Sequence, residues 1–142
     1  MIIVDLDGTL CDDSNRKYLV SGSDRDYDMY HKMCTEDVPR KEILQFLQVW
    51  MSIHPEEEIV FLTGRPSTYI EETHLWINKY VQPQWKWTLI MRLEGETNPS
   101  TAEWKVSMLD RFFEKKEITL ILDDSKRNVL EFLKYGYPAI LV

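Results

Sequence analysis

The feature that most constrains the fold is a series of five short apolar runs spread along the chain. Each run is three to five residues long and rich in aliphatic side chains, and together they occupy residues 2–4, 59–62, 88–91, 118–122 and 139–142. Runs that are this short and continuously apolar are typical of buried parallel strands. The sequence therefore predicts a sheet whose strands come from the whole length of the chain.

Stretches with helical spacing of apolar residues lie between these runs, at residues 39–54, 66–80, from 101 onward and at 125–135. We expect Pro66 to occupy the first turn of its helix and Thr101 to cap the next helix. Strands that alternate with helices predict an α/β fold, a Rossmann-like parallel sheet with helices on both faces. The ligand crevice of such a sheet lies at the carboxyl ends of its strands.

The segment at residues 11–37 breaks this alternation. It is polar and rich in tyrosine and aspartate, and a short helix is predicted within residues 24–34. We interpret it as a small insert after the first strand that lies over the crevice, in a protein without a large cap. With 142 residues, the chain fits one domain over residues 1–142.

Polar side chains follow three of the apolar runs. The first run leads into Asp5, the second into Thr63, and the fourth into Asp123 and Asp124. Because parallel strands end at the same edge of a sheet, these side chains should gather in one crevice. Two adjacent carboxylates are costly unless a cation or hydrogen-bond donors compensate. A hard divalent metal ion is the natural partner.

The residues around these strand ends suit phosphate chemistry. Asp5 and Asp7 are two apart, so both can face one substrate, and Gly8 allows a sharp turn after them. Thr63, with Gly64 and Arg65, offers a hydroxyl and backbone N–H groups at a strand-to-helix junction, which is a good cradle for an oxyanion. A lysine inside a helix is ordinarily a solvated surface residue, so Lys105 is a candidate site residue only because the other motifs occur with it.

Taken in order, DLDGT at residue 5, FLTGR at residue 61, Lys105 and LILDD at residue 120 resemble the four motifs of haloacid dehalogenase (HAD) phosphohydrolases. The resemblance implies a HAD core and a bound Mg²⁺ ion. It implies these roles: Asp5 is the nucleophile, Asp7 the general acid/base, Thr63 with Gly64 and Arg65 the phosphate cradle, Lys105 the neutralising cation, and Asp5, Asp7, Asp123 and Asp124 the metal site. We also expect Asp5 and a bound phosphate to raise the pKa of Asp7.

A narrower resemblance concerns the substrate. Residues 25–44, the strand that ends at Arg92, and the Gly95-Glu96 pair look like the 3′-phosphatase domains of phage polynucleotide kinases. Residues 98–101, beginning with Asn98, stand where that family has a further arginine and acids. The GxxxxGK[ST] loop of a kinase half does not occur in the chain. The resemblance implies a 3′-phosphatase in which Arg92 contacts the substrate.

Three functions stay open at the level of sequence. The first is removal of 3′-phosphates from nucleic-acid ends or nucleotides. The second is hydrolysis of a free nucleotide or another small phosphorylated metabolite, and the third is a non-catalytic binding protein on a HAD scaffold. Five of the basic residues outside the four motifs bear on this choice: Arg16, Arg25, Arg92, Lys126 and Arg127. They would favour a polymer substrate if they bind its backbone, although scattered surface charge is the simpler interpretation.

Charge and hydropathy limit the partners. The formal net charge of −7 argues against a protein that coats long nucleic acids, but not against one that binds a short end. No apolar run approaches the roughly 20 residues of a membrane span, and acids at positions 5 and 7 precede any signal-peptide core. Cys11 and Cys34 are most simply reduced thiols. We therefore expect a cytoplasmic protein with no membrane contact and no obligate protein partner.

Overall fold

The computed structural model describes residues 1–96 and 99–142 of the chain. The strands, in chain order, are β1 (Ile2–Val4), β2 (Cys11–Asp12), β3 (Val38–Pro39), β4 (Ile59–Pro66), β5 (Trp87–Arg92), β6 (Leu120–Asp123) and β7 (Ala139–Leu141). The helices are α1 (Tyr27–Lys32), α2 (Lys41–Ile53), α3 (Ile70–Tyr80), α4 (Thr101–Phe112) and α5 (Lys126–Lys134). All five apolar runs of the sequence contribute a strand, as predicted.

Within the described residues, β1, β4, β5, β6 and β7 form one parallel sheet in the order β5-β4-β1-β6-β7. The first strand lies at its centre, where Ile2 pairs with Ile59 on one side and with Leu120 on the other. The predicted α/β fold with a parallel sheet is confirmed, and it is a HAD core.

Helices cover both faces of this sheet. On one face, Ile2 and Val4 of β1 pack in a core with side chains of α2 and α3, including Leu47 and Trp76. On the other face, Ile3 packs with side chains of α4 and α5, such as Trp104 and Phe132, as well as with β4 and β6. The alternation along β1 follows from the two-residue period of a strand. Because both faces are buried, polar groups at the strand ends can meet a ligand only at the edge.

Two predictions of local structure are wrong. Pro66 does not open a helix: it ends β4 with extended backbone (ψ 142°), and a 3₁₀ turn over Ser67–Tyr69 precedes α3. Thr101 is the first residue of α4 rather than its cap. The cap is Ser100, whose side chain and backbone form a capping box with Glu103. Gly136 follows α5 with a φ of 77°, in the left-handed region that commonly ends a helix.

The insert is built on the antiparallel pair of β2 and β3, in which Cys11 faces Pro39 and Asp12 faces Val38. Between these strands lie α1, close to the predicted helix, and two 3₁₀ turns. The insert contacts the core at α3, where the indole of Trp76 donates a hydrogen bond to the Asp37 carbonyl at 2.8 Å.

Asn98, which departs from the family pattern, lies outside the described residues. No described helix combines the length and the apolar character that crossing a membrane requires.

Candidate active site

The strand ends meet at one open cleft of about 360 Å³. Asp5 directly follows β1, Thr63 lies near the end of β4, and Asp123 ends β6. Since β1 lies between β4 and β6, the three side chains come from neighbouring strands. The cleft is lined by the following residues: Asp5, Asp7, Thr63, Gly64, Thr101, Ala102, Lys105, Asp124, Ser125, Arg127 and Asn128.

Four charged residues form what we call the acid cluster: Asp5, Lys105, Asp123 and Asp124. The Nζ atom of Lys105 donates to Asp5 Oδ1 at 2.6 Å and to Asp123 Oδ2 at 2.7 Å. Only 2% of Lys105 is exposed. The lysine therefore lies among the acids rather than on the surface, and α4 holds it in place against the ends of β1 and β6.

The acid cluster is short of positive charge. Carboxylate oxygens of Asp5, Asp123 and Asp124 lie within 4.8 Å of one another, while one lysine supplies the cluster's cation. Burial raises the pKa of Asp5 to about 7, and the neighbouring Asp123 adds to this rise although Lys105 opposes it. Burial and Asp123 also raise the pKa of Asp124. Three close oxygen donors with unmet charge fit a hard divalent cation such as Mg²⁺.

Two neutral residues that the sequence analysis missed complete the acid cluster. Thr9 donates from Oγ1 to Asp5 Oδ2 at 3.0 Å and accepts from the backbone N–H of Asp124 at 2.9 Å. Asn128 donates from Nδ2 to both carboxylate oxygens of Asp123 at 3.0 Å. Thr9 belongs to the DLDGT motif and Asn128 lies one turn into the helix after the acid pair, so their positions offered a signal.

Gly8 allows the first motif to approach the acid pair. Its φ is 83°, and a Cβ atom built on it would lie 2.2 Å from Asp124 Oδ2. Any side chain at this position would displace the Asp124 carboxylate, and the positive φ would strain the backbone as well. The glycine predicted to turn the chain is therefore also the residue that keeps room for the Asp124 carboxylate.

A second group of buried charges, which we call the arginine cluster, consists of Asp7, Arg16, Asp37 and Arg65. The Arg65 guanidinium binds Asp7 from Nε at 2.9 and 3.0 Å and from Nη2 at 2.6 Å. Arg16 binds Asp37 from Nε at 2.9 Å and also donates to Asp7. Neither arginine is exposed. The cluster has two positive and two negative members, so it is neutral by itself.

This arrangement bears on three expectations. Burial raises the pKa of Asp7, but Arg65 and Arg16 more than offset this, so the pKa is lowered rather than raised. Arg65 was predicted to bind substrate, and Arg16 was most simply a surface charge, yet both guanidinium groups are buried against carboxylates. Among the described residues, the Asp7 carboxylate groups with Cys11 and Asp37 and not with the acid cluster. Both arginines hold Asp7 in place.

The remaining predicted residues divide between the cleft and its surroundings. Thr63 and Gly64 line the cleft, and the Thr63 hydroxyl accepts a hydrogen bond from the Arg65 N–H at 3.2 Å. Arg92 lies outside the cleft, with its guanidinium 5.6 Å from the centre of the Trp104 ring and a hydrogen bond to the Pro99 carbonyl. The structure thus brings the four motifs together and leaves Arg92 beside them.

Comparisons with known proteins agree with this geometry. Residues 1–141 match the family described as the polynucleotide kinase PNKP phosphatase domain. A chain of the Pnkp1/Rnl/Hen1 RNA repair complex superposes with a TM-score of 0.75 at 24% identity, over 99% of this chain and 41% of that one. A chain of another Pnkp1/Rnl/Hen1 complex gives a TM-score of 0.73 at 24% identity, over 99% and 45%.

The protein thus spans less than half the length of either structural relative, and at this identity the likeness concerns the fold. No curated protein matches the chain. The family match covers nearly every residue, and the matched region contains both charge clusters. The chain belongs to the family of HAD-type phosphatase domains of polynucleotide kinase PNKP.

Proposed function

We propose that this protein is a magnesium-dependent phosphomonoester hydrolase that removes 3′-phosphates from nucleic-acid ends, with residues 1–142 acting as one phosphatase domain. The observation that carries the proposal is the acid cluster, in which Lys105 bridges Asp5 and Asp123 at the floor of an open cleft. The family match supports the phosphatase chemistry.

In the first step, a carboxylate oxygen of Asp5 attacks the phosphorus atom, and the bond from phosphorus to the leaving oxygen breaks. Lys105 orients Asp5 and offsets negative charge as the phosphoryl group approaches. Thr63 and Gly64 line the same cleft, and the Thr63 hydroxyl and the Gly64 N–H can donate to the phosphoryl oxygens. A magnesium ion held by Asp5, Asp123 and Asp124 would supply the further positive charge that an attack on a phosphate dianion requires.

Asp7 then serves both half-reactions. It lines the same cleft as Asp5, and its arginine partners fix its position. The ionised form that the arginines favour suits the second step, in which Asp7 removes a proton from the water that hydrolyses the aspartyl-phosphate. Protonation of the leaving alkoxide in the first step needs the acid form, which a phosphate dianion bound beside Asp7 would favour.

A polymer substrate is favoured by Arg127. This arginine lines the cleft and is exposed, and its side chain makes no ion pair or hydrogen bond with another described residue. It lies in the first turn of α5, and that turn contains no acidic residue. A cation there is opposed by the helix dipole. We propose that Arg127 binds the phosphodiester next to the terminal phosphate.

The test compares a 3′-phosphorylated oligonucleotide with its 3′-mononucleotide. The oligonucleotide should have the higher kcat/KM, and its advantage should shrink as salt rises. Arg127→Ala should remove most of that advantage, whereas Arg111→Ala, an exposed arginine of α4 outside the cleft, should keep it. DNA and RNA ends should both be measured, because the structural relatives belong to an RNA repair complex.

Other outcomes would select the alternatives. Equal kcat/KM for the two substrates, unaffected by salt, would favour a phosphatase of small metabolites or free nucleotides. Absence of phosphate release from every substrate and from a generic aryl phosphate, with magnesium present, would favour a non-catalytic binding protein. Turnover that survives chelation of divalent ions would exclude the metal-dependent mechanism.

A further inference from the structure

A second cavity, of about 580 Å³, lies beside the catalytic cleft, between α1 of the insert and the ends of β4 and β5. We call it the aromatic pocket and define it by the ring-bearing residues of its lining, Tyr27, Tyr30, His31 and Tyr69. Gly64 lines both the cleft and the aromatic pocket. A molecule whose phosphate lies in the cleft can therefore extend past Gly64 into this pocket.

Three of the rings form a packed aromatic wall. The centres of the Tyr30 and His31 rings are 5.2 Å apart with an angle of 70° between them, and His31 lies 5.2 Å from Tyr69. Hydrogen bonds from the two tyrosine hydroxyls fix this wall, since Tyr30 donates to Asp13 at 2.7 Å and Tyr69 donates to Asp28. A rigid aromatic surface of this kind is a platform for a flat ring.

Tyr27 differs from these three rings. It is the first residue of α1, 51% of its surface is exposed, and its hydroxyl accepts one long hydrogen bond, from Arg25 at 3.4 Å. A tyrosine this exposed contributes little to the core. Its ring is available to a ligand at the rim of the aromatic pocket.

The charge of the aromatic pocket does not favour a second phosphate. Its described lining contains Arg92 as a cation and two acids, Asp28 and Glu96. Burial lowers the pKa of His31 to about 4, so this ring adds no positive charge at neutral pH. An uncharged aromatic ligand fits this lining better than an anion does, and the two carboxylates can accept hydrogen bonds from ring N–H or amino groups.

We infer that the aromatic pocket binds the nucleobase of the terminal nucleotide while its 3′-phosphate occupies the catalytic cleft. This inference rests on the proposed function and adds to it a subsite for the base. Tyr27 stacks on the base at the rim, and the wall formed by His31 and Tyr69 supports it from inside. The sugar then passes Gly64, which lines both the cleft and the aromatic pocket.

The experiment uses two 3′-phosphorylated DNA oligonucleotides that differ only at the last residue, which is thymidine in one and an abasic tetrahydrofuran in the other. Wild-type kcat/KM should be about 5-fold to 150-fold higher for the thymidine end, the range expected for stacking of one base on aromatic side chains. Tyr27→Ala should lower the value for the thymidine end towards that of the abasic end. Tyr27→Phe keeps the ring and should preserve the preference.

Tyr18→Ala is the matched control. Tyr18 is a tyrosine of the same insert, is 64% exposed, and does not line the aromatic pocket, so its replacement should leave the preference intact. Equal kcat/KM for the two ends in wild type would overturn the inference while leaving the proposed function standing. Failure to dephosphorylate either oligonucleotide would overturn both. A preference that Tyr27→Ala leaves unchanged would also overturn the assignment of the base to this pocket.

Discussion

The acid cluster and the arginine cluster are adjacent and both are largely buried, yet their charge balance differs. The acid cluster combines three carboxylates with Lys105, whereas the arginine cluster pairs two carboxylates with two guanidinium groups. The pKa of Asp5 is raised and that of Asp7 is lowered, although only one residue separates them. The comparison teaches that a buried cluster with too few cations can bind a further cation. A buried cluster with balanced charges instead fixes the position of a side chain.

Removal of one acid from the acid cluster should have the largest effect on activity. We expect Asp5→Asn to lower kcat on the order of 10³-fold or more, because an amide cannot form the aspartyl-phosphate. The unfolding free energy without metal should stay the same or rise, since the change relieves repulsion among carboxylates. Phosphate release and urea unfolding are the measurements. Retention of more than a few per cent of wild-type activity would contradict the nucleophile assignment.

Breaking the arginine cluster should have the opposite effect on stability. Arg65→Met leaves Asp7 buried with one guanidinium partner fewer, which should lower the unfolding free energy by about 3–5 kcal/mol, as for other broken buried ion pairs. Urea unfolding measures this loss of unfolding free energy. Arg25→Met, at an exposed site, is the control and should change stability by less than about 0.5 kcal/mol. Equal effects of the two variants would mean that the arginine cluster does not support the fold.

Magnesium should distinguish the two clusters. Saturating Mg²⁺ should stabilise the wild-type protein by about 1–3 kcal/mol, seen as a rise in Tm. Asp124→Asn should reduce this rise, because a metal ligand is lost while the Lys105 contacts remain. Asp24→Asn, an exposed acid of the insert, should respond like wild type. An unchanged rise in Asp124→Asn would place the metal elsewhere.

The smallest effect concerns His31, which lies near the arginine cluster. Its pKa is lowered to about 4 by burial, with Asp7 opposing the shift and Arg65 and Arg16 adding to it. The folded protein therefore binds fewer protons here than the unfolded chain, whose histidine pKa is about 6.5. The contribution of His31 to the unfolding free energy is therefore fully present above pH 6.5 and is lost as the pH falls towards 4.

The measurement for this prediction is the unfolding free energy of wild type and of His31→Asn at pH 7 and pH 4. The wild type should lose about 1–2 kcal/mol more than the variant over this range. A difference between the two proteins that does not change with pH would show that the folded state leaves His31 free to ionise.

The acid cluster could largely be predicted from the sequence because strand order decides it. Asp5, Thr63 and Asp123 each follow an apolar run, and parallel strands end at one edge. The arginine cluster could not be predicted in this way. Arg16 binds Asp37, which lies 21 residues further along an irregular insert. No sequence periodicity indicates that an arginine is buried and hydrogen-bonded to carboxylates inside the protein. The two arginines that lower the pKa of Asp7 could not be predicted for the same reason.

Smaller errors have local causes. Ser100 and Thr101 are both good capping residues, and only the reciprocal hydrogen bonds with Glu103 decide between them. Pro66 is compatible with a first helical turn and with the end of a strand, since its fixed φ of about −65° suits both. The pairing of Pro66 with Arg92 of β5 extends the strand and settles the outcome.

The short ladder of β2 and β3 makes the insert a separable module. Cys11 and Pro39 lie side by side, so the polypeptide leaves and re-enters the sheet scaffold at almost one point. Lengthening a loop whose ends are already joined costs little, about 0.6 kcal/mol for each doubling. Residues 21–25 are all exposed and form a natural site for extra sequence. Evolution or a designer could replace the exposed part of this insert with another segment, provided that Arg16 and Asp37 are retained near its base.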